Sequence, residues 1–537
     1  MKQVRLLLFA LLCLLAALPV LAQPQPQWEW AKAQPFTVSA LTTDAVGRVY
    51  VTGSFSGTIT LGGQQFTAQS TGTDLLVARF SPEGKLDWAT SLGAAPFMSG
   101  GSSSASGTDI SVNPQTGEAS VVGSYSGNLM GVSGSEPGEP GTGIRMVVLK
   151  LANSGRIQWV VRAGSVSPAT IGNAIASDLL GNTHVSGSTN GGFDLSNGST
   201  FGTGSRSMFV LSLGPTGQTR WIVGGQSTLS ANADDIATDA QNNVYVLGRY
   251  FGPFRFGNFS FTGDVSSNGN TFLAKLANQT GTPLWVRDGA GTGASSLAVD
   301  AAGSSYIGGQ AGSNVSFGGV SLNISSGSVG YVIHVGPNGS TEWIRSVGDA
   351  ASNAPVEVAT VPTSNGGAAR VVVGLTRPNN AATVLALRAN GTILWQEQAS
   401  GGQSNIRDVA VAPGLRIYLG GTLSGQVQFG ADAVSANGPT NYLAALAPRA
   451  NPLRFNWDEL SVFPNPATVQ LSVQVPPLPA VHIQLLNLNG RVVREVRMPA
   501  SRQPQTATFN VRELPSGLYT LRLTAGGETI SRQVQIR

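Results

Sequence analysis

Side chains able to do nucleophilic, acid/base or metal chemistry are few and scattered along this sequence. Its 537 residues hold three histidines and one cysteine. Cys13 lies inside an apolar N-terminal run, so no thiol remains once that run is removed. His184, His334 and His482 lie far apart and lack the His-x-x-x-His or clustered Cys/His spacing that holds a metal ion, so neither metal nor cofactor is expected. His184 takes the place held by Tyr50, Tyr245, Tyr306 and Tyr418 in the repeat described below, a packing position. His334 replaces Arg79, Lys150 and Lys275 on a face that reads as solvated, and His482, between Val481 and Ile483, should be exposed. Asp44, Asp178, Asp239 and Asp300 recur once per repeat at one turn, which argues for turn capping over calcium ligation or paired carboxylates. Asp234 and Asp235 form the one local acidic cluster, and neighbours on a strand point to opposite faces, so they make a poor acid/base pair. The strings from Gly53 to Gly57 and from Gly123 to Gly127 carry Phe55 and Tyr125 where a nucleophile elbow needs serine. No catalytic residue is assigned.

The elements that must position these residues announce themselves through tryptophan. Trp30, Trp88, Trp159, Trp221, Trp285, Trp343 and Trp395 mark an internal repeat, and most of them close a Gly-containing turn such as Ser81 to Trp88 or Gly336 to Trp343. Each unit reads as four strands. In the fourth these are Asp235 to Asp239, Val244 to Gly248, Phe272 to Leu276 and Leu284 to Arg287. Seven second strands can be counted, and the seventh unit has no tryptophan strand of its own after Leu446. Gln27 to Ala31, carrying Trp30, can supply it, which would close a ring and remove exposed sheet edges. The expectation is an all-β chain: a seven-bladed β-propeller closed by the N-terminal strand, followed by a small Ig-like β-sandwich.

Lys2 and Arg5, the apolar run from Leu6 to Leu18 and the small-residue site ending at Ala22 read as a secretory signal over residues 1–22. No later stretch reaches the ~20 apolar residues of a spanning helix. Removal of Lys2 and Arg5 lowers the formal net charge of +4 to about +2, with the basic excess concentrated after residue 460. The body of the chain lacks the dense basic stripe of a nucleic-acid binder. The remaining divisions are a propeller over 23–450, a linker over 451–459 and a tail over 460–537.

The Asp-containing first strand, the Val-Tyr-Val-Thr-Gly type of second strand (Val49 to Gly53) and the Gly-turn-Trp hairpin resemble the bacterial β-propeller repeat family, which implies a fold and no fixed ligand. In the tail, Leu460 to Ala467 with Pro464, Asn465 and Pro466, then Ile483 to Val493 with Gly490, then Leu514 to Leu523 with Gly517 and Tyr519, resemble the C-terminal sorting domain of type IX secretion substrates. Arg532 and Arg537 stand where that family commonly has lysines. The resemblance implies recognition by the type IX machinery and its sortase-like peptidase, and a mature form released or attached at the outer cell surface.

Strand parity puts the short turns on one face of such a disc and the long connections on the other, and loops on a rigid scaffold commonly carry binding residues. Phe55, Tyr125, Tyr250, Phe251 and Phe254 on that long-loop face are the candidate ligand contacts, although a recurrent Phe-Gly pair suggests that part of each connection packs regularly. The leading expectation is a monomeric, non-enzymatic exported protein that binds a glycan, polymer or protein. The alternatives are an extracellular hydrolase or lyase whose acidic residues meet in the central channel, and a structural surface protein.

Overall fold

A computed structural model describes residues 26–537 except 98–100, 133–143, 165–169, 264, 266–268, 292, 352–353, 363–368, 449–459, 477–479, 500, 502 and 526–527. Residues 1–22, expected to be a secretory signal, the expected linker over 451–459 and most of the Pro/Gly insertion before Ile144 lie outside the described residues. Within them the regular structure is β, apart from a 3-10 turn at Pro413–Leu415. Contacts divide the chain between Ala447 and Pro448 into two compact bodies.

The first body is a succession of four-stranded antiparallel sheets, each spanning one repeat unit. Unit 1 runs Thr37–Thr43, Val49–Phe55, Asp74–Phe80 and Leu86–Leu92. Units 2 to 6 begin with Ser104–Val112, Thr170–Ser177, Ser230–Thr238, Gly293–Val299 and Val356–Thr360 and end with Ile157–Gly164, Thr219–Ser227, Pro283–Ala290, Thr341–Asp349 and Ile393–Gln398. In unit 7, Ser400–Ala412, Arg416–Phe429 and Asp432–Pro448 are completed by the N-terminal strand Pro26–Gln34, which lies beside Asp432–Pro448.

Local chemistry explains the turns. Asp44 accepts the backbone N–H groups of Val46 (3.1 Å) and Arg48 (3.0 Å), and its second oxygen takes the Arg48 guanidinium and the Tyr50 hydroxyl. Asp178, Asp239 and Asp300 accept the equivalent pair of N–H groups in their own turns, so these aspartates are turn caps.

Tryptophan joins one unit to the next. The indole N–H of Trp30 donates to the Pro82 carbonyl, Trp88 to Asn153, Trp159 to Pro215, Trp221 to Asn278 and Trp343 to Ala389, each in the Gly turn of the following unit. The ring lies flat against the glycine of that turn. Gly281 has φ +71°, and a Cβ there would lie 2.6 Å from the Trp221 ring, so the contact requires glycine on both counts. The ladder is therefore inter-unit core.

The long connections differ from simple loops. Thr58–Leu61 with Gln64–Thr67, Phe254–Phe256 with Phe259–Phe261, and Val315–Phe317 with Val320–Leu322 are β-hairpins. Units 3 and 7 reach the same end by extending strands two and three, as in Thr183–Leu195 and Thr200–Leu213. The first arm adds to the outer strand of the preceding unit: Phe254–Phe256 pairs with Gly225 to Ser227, Phe317 with Gly289, and Leu195 with Ala163. Phe256, Phe317 and Phe429 are buried, which explains the Phe-Gly recurrence: the ring packs while the glycine makes the hairpin turn. Outer edges that would invite unwanted pairing are thereby covered.

The tail has two antiparallel sheets around one core. Ser461–Phe463, Gln470–Val475 and Gln505–Asn510 form one, and Val492–Met498, Val481–Leu486, Gly517–Ala525 and Glu528–Ile536 the other, with Leu471, Val473, Ile483, Leu521 and Val534 between them.

Candidate functional site: the axial channel

The first strands of the units line one cavity of about 370 Å³, from Ser39 to Thr42, Thr108 to Ser111, Asn173 to Ser177, Asp234 to Thr238, Ser295 to Leu297, Glu357 with Val358, and Arg407 with Asp408. In six of these strands the register slips by one residue at Ser39, Thr108, Asn173, Asp234, Ser295 and Arg407. A bulge suspends the strict alternation of side chains. The bulged residue and its successor therefore both reach the channel, and Asp234 and Asp235 share it instead of facing apart, which corrects the expectation of opposite faces.

The two positions do different work. The residue after the bulge ties neighbouring units together: Asp109 accepts the Ile175 N–H (2.7 Å), Asp235 the Leu297 N–H (2.6 Å), Ser296 the Val358 N–H (3.0 Å) and Asp408 the Leu41 N–H (2.6 Å). The second oxygen of each of these aspartates takes the N–H of its own following residue. These carboxyls sit deep in the disc yet keep part of their surface open to the channel. Burial pushes Asp109 up to about 6 against its two backbone bonds. Burial, with repulsion from Asp109, carries Asp408 to about 8 and Asp235 well above the carboxylate range. Glu357 is raised in the same way, by burial and then by the charge of Asp408.

Bulged residues differ in chemistry from unit to unit and, Asn173 apart, do not join neighbouring units in this way. Asp234 forms a two-point pair with Arg249, at 2.8 and 3.1 Å, and the Asn173 amide donates to the Ala233 carbonyl. Thr108, Ser295 and Arg407 are exposed. Among the described residues no group of three or more His, Cys, Asp or Glu is arranged to hold a metal ion.

The aromatic residues singled out from the sequence are elsewhere. Phe55, Tyr125, Tyr250 and Phe254 are buried, and only Phe251 keeps a half-open surface. Tyr250 stacks on Phe254 at 4.6 Å and donates to Asp288, because the connection folds back as a hairpin and takes its rings into the core. Four of the five thus have no face for a ligand. His184 is buried against Trp221 and 3.3 Å from Asp178, as a packing role requires, and burial lowers its pKa. His334 is not solvated. It is buried, stacked on Tyr306 at 4.7 Å, because the third-strand position faces the second-strand aromatic, as Lys275 also does over Tyr245. His482 is half-exposed and bonds to Glu495. The sequence reading missed Asp109, Glu357, Asp408 and Arg407. A signal existed, since Asp109, Asp235 and Ser296 each stand four residues before the cap of their turn.

Several of the sorting residues of the tail meet at its last strand, Glu528–Ile536. The Asn465 side chain accepts the Gln535 N–H (2.9 Å), and Ala467 exchanges backbone bonds with Gln535 and Arg537. Gly490, at φ +74°, makes the Asn487 to Arg491 turn, and the buried Tyr519 donates its hydroxyl to the Pro515 carbonyl (2.8 Å). Gly517 opens the strand against which Glu528–Ile536 pairs, and Arg532 and Arg537 are exposed on and just beyond that last strand. Residues 461–537 match the model of the secretion system C-terminal sorting domain, and residues 158–194 that of the β-propeller repeat.

The chain carries a type IX sorting tail behind a β-propeller. It is exported by that route to the cell surface or extracellular space, and its tail engages the secretion machinery. No helix among the described residues is long and apolar enough to cross a membrane. A search of the curated proteins finds no match. Among solved structures, a Trypanosoma rangeli sialidase in complex with sialic acid matches at 8% identity and TM-score 0.35, covering 93% of this chain and 83% of its own. A member of the duf4221 family from Bacteroides vulgatus matches at 8% identity and TM-score 0.26, covering 79% and 98%. Likenesses this distant carry no functional argument.

Proposed function

We propose that the mature protein is a non-enzymatic binding protein, a seven-bladed β-propeller closed by its N-terminal strand and followed by an Ig-like tail, that takes a polar polymer or glycan at the channel. The observation that carries this reading is the division of labour at the bulges. Asp109, Asp235, Ser296 and Asp408 are occupied in joining the units, while Ser39, Thr108, Asn173, Asp234, Ser295 and Arg407 offer hydroxyl, amide, carboxylate and guanidinium groups of differing chemistry to the same cavity. Rigid strands presenting a few polar groups suit recognition of a hydroxyl-rich chain. Release from the cell or attachment to its surface would follow trimming of the tail by the sortase-like peptidase of the type IX system.

A second reading, an extracellular hydrolase or lyase, draws on the five acids sharing one cavity. Glu357 has no backbone clasp of its own in that set, and burial with the charge of Asp408 holds its carboxyl well above the usual range, as a general acid requires. The deciding experiment presents the purified mature chain to a polysaccharide and glycan array, with and without chelator, and assays each hit for turnover. Retention of an uncleaved ligand, lost in Arg407→Ala, supports binding. Cleavage abolished by Glu357→Gln would establish the enzyme instead, and silence across the array would move the role to a protein ligand or a structural one. Deletion of residues 460–537 should strand the protein in the periplasm, read by cell fractionation.

A further inference from the structure

Of the eight Asn-Gly pairs in this sequence, three are followed by a hydroxyl residue: Asn197-Gly198-Ser199, Asn338-Gly339-Ser340 and Asn390-Gly391-Thr392. A glycine after asparagine has no Cβ to keep its nitrogen away from the neighbouring side-chain carbonyl. All three pairs lie in tight turns, with the asparagine exposed and the glycine N–H bonded to the carbonyl three residues back, at Leu195, Gly336 and Arg388. In each the asparagine Oδ1 accepts the N–H two residues on, at 3.2, 2.9 and 3.1 Å. That Asx turn closes a ring containing both the side-chain carbonyl carbon and the glycine nitrogen, and so holds the two together.

The side-chain amides then diverge. Ser340 donates its hydroxyl to Asn338 Oδ1 (2.7 Å), and Thr392 donates its hydroxyl to Asn390 Oδ1 (2.8 Å). Two donors on one amide oxygen draw charge from the carbonyl carbon, and they remain in place to hold the oxyanion formed when a nucleophile adds there. At Asn197 the arrangement is reversed. Among the described residues its oxygen has one backbone donor, while its amide nitrogen is tied to the Gly217 carbonyl (3.1 Å) and the Thr219 hydroxyl (2.8 Å). That nitrogen must break two bonds to depart.

We propose that Asn338 and Asn390 are self-modifying sites, each attacked by the nitrogen of its own following glycine and converted to aspartyl and isoaspartyl residues in the exported protein. The Gly339 nitrogen bonds to Cγ of Asn338, the Cγ–Nδ2 bond breaks, and the amide leaves as ammonia carrying the glycine proton. Water then opens the cyclic imide at either carbonyl, which restores the ordinary main chain as Asp or inserts the side-chain methylene into it. Gly391 acts on Asn390 in the same way. The position of the two turns gives the change its effect. Trp285 lies on Gly339 and Trp343 on Gly391, and a Cβ at either glycine would be 3.0 Å from the ring. An inserted methylene moves the glycine from beneath its indole, so the isoaspartyl form loosens two consecutive joints, unit 4 to 5 and unit 5 to 6. These turns are independent of the channel.

The test ages the full mature chain at mildly alkaline pH and follows the three peptides by mass spectrometry after digestion, with an isoaspartyl methyltransferase to label the iso form. Conversion at Asn338 and Asn390 is expected to be at least about tenfold faster than at Asn197, a comparison within one molecule that needs no variant. Ser340→Ala should slow Asn338 about tenfold and leave Asn390 unchanged, and Thr392→Ala the reverse, so each variant carries its own control for folding. In denaturant, where these bonds are absent, the three rates should converge. Aged protein should also melt at a lower temperature than fresh protein. Equal rates at the three sites in the folded chain, or rates at Asn338 and Asn390 that are unchanged or faster without their hydroxyls, would overturn the proposal.

Discussion

The axis and the rim of the propeller solve one problem, joining each unit to the next, with opposite chemistry. At the axis a short polar side chain reaches across to a backbone N–H, as Asp235 does to Leu297. At the rim a tryptophan lies on a glycine and donates one bond outward, as Trp221 does to Asn278. First strands converge at the axis and leave room for little more than a carboxylate. Fourth strands are far apart, and an indole with a hairpin beside it fills the gap. The rim therefore holds chiefly by burial, whereas the axis holds by groups that titrate toward neutrality.

The largest effects should come from the rim. Trp221→Ala removes a buried indole and should cost about 3–5 kcal/mol in denaturant unfolding of the mature chain. Gly281→Val meets that ring at a backbone angle closed to valine and should approach the same loss. An axial deletion should be milder: Asp235→Ala leaves two N–H groups without acceptors, about 1–3 kcal/mol by the same measurement. Equal losses at axis and rim would erase the distinction.

A pH series sharpens it. Burial holds the folded pKa of Asp109 near 6 and of Asp408 near 8, above the unfolded value of about 4, so the fold binds these protons more tightly. Their contribution is complete below pH 4 and is lost as pH rises through the folded values. The melting temperature should therefore carry a falling component between about pH 4 and 8, and Asp408→Asn should flatten its upper part; an unchanged slope would remove the axial acids as its source. The opposite trend should appear in acid, where Asp178 is held below the usual carboxylate range because the bonds from His184, Asn182 and Asn278 outweigh its burial.

The smallest contrast lies within the rim. Trp285 has no acceptor for its buried indole N–H, although its ring packs on Gly339 like its counterparts. Conversion to phenylalanine should cost about 1 kcal/mol more at Trp221, which strands the Asn278 carbonyl, than at Trp285, compared by chemical denaturation of the two variants.

What could be read from the sequence was what the chain settles within a few residues of itself. Asp239 caps a turn whose N–H groups lie two and four residues ahead, and the sorting motifs of the tail are ordered strings that need no alignment in space. The tryptophan period likewise marked a repeat of four strands, because six of the seven indoles meet a glycine turn one unit on. The fate of Tyr250 and Phe254 was not legible, since a run of residues between strands reads as a loop whether or not it folds back and pairs with the neighbouring sheet. Nor was the channel. Asp109 bonds to a residue 66 positions away, and it faces the axis only because a one-residue slip turns it there. Register and inter-unit contact are properties of the assembled sheets, and only the tertiary structure could decide which acids meet and which rings are hidden.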